Sequence, residues 1–75
     1  MKTINDFPVH SYGWQELAVL YNPQLTPQSA AKSLAHWVKK NSGLFDALRL
    51  TGWRPGLRTL TPLQVELFVR FLGEP

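Results

Sequence analysis

Residues 26–41, TPQSAAKSLAHWVKKN, can seat as a helix in only one way. At about 100° per residue, Ala30, Ala31, Leu34, Ala35, Trp37 and Val38 fill one half of the wheel. Gln28, Ser29, Lys32, Ser33, His36, Lys39 and Lys40 fill the other. The apolar half must rest on a core. The polar half is a long basic and hydrogen-bonding face with no carboxylate on it, and it suits a negatively charged partner such as a nucleic acid. Thr26 is placed to cap this helix, and Pro27 to open it where its missing N–H costs nothing. Lys39 and Lys40 fall in the last turn, where the helix dipole favours cations.

The core that receives this helix is small. A chain of 75 residues buries only about 60% of its unfolded surface, and one domain over residues 1–75 is expected. With no cysteine, neither a disulfide nor a Cys-based metal site can reinforce it. Three tryptophans, four phenylalanines and two tyrosines compensate, because aromatics bury the most area per residue. The opening MKTINDFPVHSYG has no apolar run to serve as a signal-peptide core, and no stretch approaches the ~20 apolar residues that span a bilayer. A soluble, cytoplasmic protein with no membrane role is the expectation.

The net charge of +3 is unevenly spread. Residues 26–60 carry Lys32, Lys39, Lys40, Arg49, Arg54 and Arg58 against Asp46 alone, a balance of +5. The two ends carry Lys2 and Arg70 against Asp6, Glu16, Glu66 and Glu74, a balance of −2. The positive charge therefore gathers around the amphipathic helix and the segment after it.

Along the rest of the chain, residues 1–10 read as an irregular or extended lead, with Phe7, Pro8 and Val9 tucked onto the body. Ser11 to Tyr21 reads as a first helix, capped by Ser11 or Gly13, with Trp14, Leu17, Ala18 and Tyr21 at i, i+3, i+4, i+7 spacing. Pro23 ends it, and Leu25 is expected to plug into the core from the turn. Ser42 can cap a short third helix carrying Leu44, Phe45, Ala47, Leu48 and Leu50, which Gly52 stops. Pro55-Gly56 signals a type II turn, and its flanks, Trp53-Arg54 and Leu57 to Leu60, read as two short strands. Thr61 and Gln64 form a capping box for the last helix. There Leu63, Leu67, Phe68, Phe71 and Leu72 make an apolar face, Val65 and Val69 extend it, and the ion pair Glu66–Arg70 marks a wet side.

Helix, short turn, basic amphipathic helix, basic hairpin and closing helix is the order of a winged helix-turn-helix, in which the second helix enters the major groove. The segment Thr51-Gly52-Trp53-Arg54-Pro55, Arg58-Thr59-Leu60-Thr61-Pro62, Gln64-Val65 resembles the wing and following helix of MerR-type regulators and phage excisionases, with a longer linker before it. A wider resemblance runs through Ser11-Tyr12-Gly13, Glu16-Leu17-Ala18, Leu20-Tyr21, Pro23, Leu25-Thr26-Pro27, Ala30, Leu34, Trp37, the 51–65 motifs and Leu72-Gly73-Glu74-Pro75. These are similar to a family of small proteins from gut anaerobes known only as a domain of unknown function. That resemblance implies a small module of phage or mobile-element type and brings no activity with it.

The fold expected is mainly α, a winged helix-turn-helix of about four helices with a small β-hairpin near residues 52–60. The function expected is binding of double-stranded DNA, as a transcriptional regulator or excisionase-like accessory factor. Gln28, Ser29, Lys32, Ser33 and His36 would face base edges, and Lys39, Lys40, Arg54 and Arg58 would face phosphates. The same face also reads as plain solvated surface. The alternative is a protein-interaction adaptor built on Val65, Phe68, Val69 and Leu72 of the last helix, with no nucleic-acid role; the same helix could also pair with a second copy, which is compatible with DNA binding. His10 and His36 are too isolated for a metal site. No nucleophile, phosphate loop or carboxylate cluster suggests an enzyme. No cofactor and no small-molecule substrate are expected.

Overall fold

The computed structural model describes residues 2–4 and 7–75, with side chains from residue 7 onward. The elements run β1 (Lys2–Ile4), β2 (Phe7–Val9), β3 (Tyr12–Gly13), α1 (Trp14–Tyr21), α2 (Pro27–Lys40), α3 (Ser42–Leu50), β4 (Thr59–Leu60) and α4 (Pro62–Leu72). The fold is mainly helical, with four helices among the described residues.

Local signals place the helices. Thr26 Oγ1 accepts from the Ser29 N–H at 3.2 Å, with Pro27 in the first turn of α2. Thr61 and Gln64 close a capping box on α4 (3.3 and 3.0 Å). Asn41 ends α2 and also caps α3, its Oδ1 accepting from the Leu44 N–H at 3.1 Å. Ser42, the cap expected there, is instead the first helical residue. The first helix begins at Trp14 rather than Ser11, because Tyr12 and Gly13 are drawn into strand pairing. Gly13 sits at its cap position, and the Glu16 carboxylate accepts from the Gly13 N–H at 3.0 Å.

The lead is extended, as expected, and paired. β1 and β2 form an antiparallel hairpin in the register Lys2↔Val9, Thr3↔Pro8, Ile4↔Phe7. Met1, Asn5 and Asp6 of that expected lead, with the Asp6 charge, lie outside the described residues.

The hairpin expected near residues 52–60 does not form. Trp53 is the reason. Gly52 has a φ of +89°. Its N–H donates to the Arg49 carbonyl at 3.0 Å, and the Trp53 N–H donates to the Leu48 carbonyl at 3.2 Å. These two bonds are a Schellman closure of α3, so the backbone of Trp53 belongs to the helix end and has no donor left for a ladder. The Pro55-Gly56 turn is present, with Gly56 at φ +96° and the Leu57 N–H donating to the Arg54 carbonyl. Thr59 and Leu60 pair instead with Gly13 and Tyr12.

Leu17, Ala18, Ala30, Leu34, Leu44, Leu48, Leu60, Val65 and Phe68 are fully buried and draw on all four helices and β4. Trp37 is half-buried and packs edge-on against Tyr21. Leu25 does not plug the core and stays exposed. The last helix is seated only partly as expected: Phe68 is in the core and Leu67 and Leu72 pack against it, but the buried side is turned toward Val65 and Val69. Gln64, Val65, Glu66, Phe68 and Val69 are buried, whereas Leu63 and Phe71 are exposed. The strands β2 and β4 and the helix α3 all pack on α4. The lead thus packs on α4 through β2.

Candidate nucleic-acid interface

The polar half of α2 faces outward. Gln28, Ser29, Lys32, His36, Lys39 and Lys40 are exposed, and Ser33 is half-buried. The opposite half carries the contacts that fix its orientation. Ala30, Leu34 and Val38 are buried in the core. The Trp14 indole N–H donates to the Ala31 carbonyl at 3.2 Å, pinning α1 against α2. A short turn, residues 22–26, joins the two helices, and Asn22 closes α1 through its side-chain N–H to the Ala18 carbonyl.

Arg54 and Arg58 are exposed on the loop between α3 and β4, not on strands. Their placements differ. Arg58 is tied to α1 through its carbonyl, which accepts from the Trp14 N–H at 2.7 Å. Arg58 lines the same cleft as Lys39 of α2. Arg54 does not line that cleft. Among the described residues, none of Lys32, Lys39, Lys40, Arg54 and Arg58 is held in an ion pair. Arg49, the remaining cation of this half of the chain, lies over the Phe45 ring at 5.8 Å, a cation–π contact.

The residues expected to form a protein interface are placed otherwise. Val65, Phe68 and Val69 are buried in the chain's own core and Leu72 is half-buried. The apolar side chains that α4 leaves outside are Leu63 and Phe71.

The cleft was not anticipated. It has a volume of about 570 Å³ and lies between the start of α1, α2, α3 and the loop 53–58. Trp14, Phe45 and Trp53 wall it, with Trp53 stacked on Trp14 at 6.1 Å and met edge-on by Phe45 at 5.9 Å. Ala31 and Ala35, one turn apart on α2, leave the space. Two alanines at i, i+4 on the border of the apolar half were the available signal. Among the described residues no group of His, Asp or Glu could hold a metal ion, and no helix is long and apolar enough to cross a membrane.

The model of a protein family described as a domain of unknown function (DUF4248) matches residues 8–75. The chain belongs to this family. The match takes in every element from β3 to α4, and with them both faces of α2 and the whole cleft. Neither a curated protein nor a solved structure matches this DUF4248 chain.

Proposed function

We propose that this DUF4248 protein binds double-stranded DNA as a small regulator or excisionase-like accessory factor. In this reading α1 and α2 act as a helix-turn-helix pair, with α2 as the helix that enters the major groove. One observation carries it: the exposed half of α2 presents Lys32, Lys39 and Lys40 among Gln28, Ser29 and His36 without a carboxylate on that face. Gln28 and Ser29 lie in the first turn of α2, the end that reads base edges in this geometry. Gln can pair with adenine and Lys can donate to guanine. Arg58, beside the cleft it shares with Lys39, adds a phosphate contact from the loop, so no strand wing is needed.

Titration of the intrinsic tryptophan fluorescence with mixed duplex DNA, at low and at higher salt, tests the reading. Phosphate contacts release counterions, so the affinity should fall steeply with salt at a log–log slope of about −0.9 per phosphate neutralised. The double substitution Lys32→Glu/Lys39→Glu should abolish the signal while the melting temperature holds. Absence of binding at low salt overturns the proposal.

Exposed Leu63 and Phe71 on α4, with Leu50 on α3 at 89% exposure, favour a second reading as a protein-interaction or dimerisation module. Polar substitution at Leu63 and Phe71 should then abolish a complex that the α2 charge reversals leave intact.

A further inference from the structure

We propose that the cleft between α1, α2 and the loop 53–58 is a binding site for a flat aromatic molecule bearing one anionic group, such as an aromatic carboxylate. The proposal does not require α2 to meet DNA. Its volume of about 570 Å³ falls in the range of small-molecule sites, roughly 300–1,000 Å³. Its walls are chemically of two kinds. Trp14 and Phe45, both half-buried, supply aromatic surface, backed by the buried Trp53, whose indole is inclined by only 27° to that of Trp14. Flat ligands gain most from such a wall by offset stacking. Lys39 and Arg58 supply two cations with no carboxylate paired to them among the described residues. The carboxylate that also lines the cleft, Glu16, already accepts from the Gly13 N–H at the start of α1. The balance of the lining charges is therefore +1, which matches a monoanion. A carboxylate is the natural partner of a guanidinium, through paired N–H donors in one plane.

The indole N–H of Trp53 is buried without an acceptor. Its own neighbours cover it, so recognition runs through the ring faces and the two cations rather than through that group. The space itself exists because Ala31 and Ala35 are small, and a larger side chain at Ala35 would project into the cleft.

The test is a titration of the ¹⁵N-labelled full chain with 2-naphthoate, followed by amide and indole chemical shifts, and a second titration with the neutral 2-naphthamide. Saturable shifts clustered on Trp14, Ala35, Trp53 and Leu57 are expected, with 2-naphthamide weaker by roughly tenfold, the worth of one charge-assisted hydrogen bond. Arg58→Gln should cost naphthoate a similar factor and leave naphthamide unchanged. Ala35→Phe should remove binding of both while the spectrum stays that of a folded chain. Three results would each overturn the proposal: no clustered shifts at millimolar probe, equal affinity for the two probes, or binding that survives Ala35→Phe in the folded protein. If Ala35→Phe does not fold, the Arg58→Gln comparison decides alone, and an unchanged naphthoate affinity overturns the proposal.

Discussion

The side-chain amide of Gln64 donates to Thr51 Oγ1 at 2.9 Å, joining the start of α4 to the end of α3. Each partner is also tied locally. Gln64 Oε1 accepts from the Thr61 N–H at 3.0 Å, and the Thr51 hydroxyl donates to the Leu48 carbonyl at 2.6 Å. One buried glutamine thus completes a helix cap and bridges two helices. Gln64→Ala loses both bonds and should cost about 1–3 kcal/mol. Thr51→Ala should cost less. The double variant should fall short of the sum by at least roughly 0.5 kcal/mol, because the two residues share a bond. Urea denaturation of the four proteins gives the cycle. A coupling near zero would mean that the amide finds water instead.

Trp53 buries a polar group instead of pairing it. It is 6% exposed, and its indole N–H has no acceptor. A buried donor left unmade costs about 1–3 kcal/mol. Trp53→Phe removes that donor, keeps a ring against Trp14 and Phe45, and opens a modest cavity. The two effects oppose, and the net change should stay within about 1 kcal/mol. Trp53→Ala removes the ring altogether and should cost about 3–5 kcal/mol. A loss for Trp53→Phe well above about 1 kcal/mol in thermal and urea unfolding would show that the N–H is satisfied in solution.

Gly52 holds the turn that delivers Trp53 to the core. Its φ of +89° lies in the left-handed region, and an added Cβ would meet nothing within 4 Å. Gly52→Ala therefore carries a conformational cost alone, about 1–2 kcal/mol. A measured loss well above that would mean that the substitution also dislodges Trp53, and near-ultraviolet circular dichroism would register the lost Trp14–Trp53 stacking.

What the sequence made legible follows from range. Helix starts and stops are written within four residues: Thr26-Pro27, the Thr61/Gln64 box and Gly52 all act where they stand. The amphipathic pattern of α2 is also local, so its outward face could be read without knowing what lay beneath. The strand partner of Thr59-Leu60 is Tyr12-Gly13, near the other end of the chain, and no local signal names it. Pro55-Gly56 makes its turn, but a turn brings no hairpin when Trp53 has already spent its backbone on closing α3. The face of α4 failed for the same reason. Val65 and Val69 read as spare apolar surface only until the packing of β2 and β4 on that helix is known. Glu66, the wet-side marker, is buried with them and lies 3.8 Å from the Arg70 guanidinium. The cleft depends on three elements and one loop together, so it was the least legible feature of all.

Tyr21 gives the fold a dependence on alkaline pH. It ends α1, and its hydroxyl donates at 2.5 Å to the carbonyl of Gly73, the residue that stops α4. Partial burial, helped by the Glu74 carboxylate nearby, pushes its hydroxyl from 10.0 up to about 12. Between these values the unfolded chain has lost the phenolic proton and the folded chain has kept it. The unfolded state then binds fewer protons, so stability falls as pH rises. The contribution is complete below pH 10 and is lost on the way to pH 12. Tyr12 acts with the same sign, its hydroxyl raised by burial and then by Glu16, so part of the slope remains when Tyr21 is replaced. Tyr21→Phe should cost about 0.5–1.5 kcal/mol at neutral pH, the worth of the bond to Gly73. That deficit should shrink as pH climbs from 9 to 11. Urea unfolding at intervals across that range measures it. A deficit that stays constant would mean that the Tyr21 hydroxyl titrates alike in both states and that the contact with Gly73 does not restrain it.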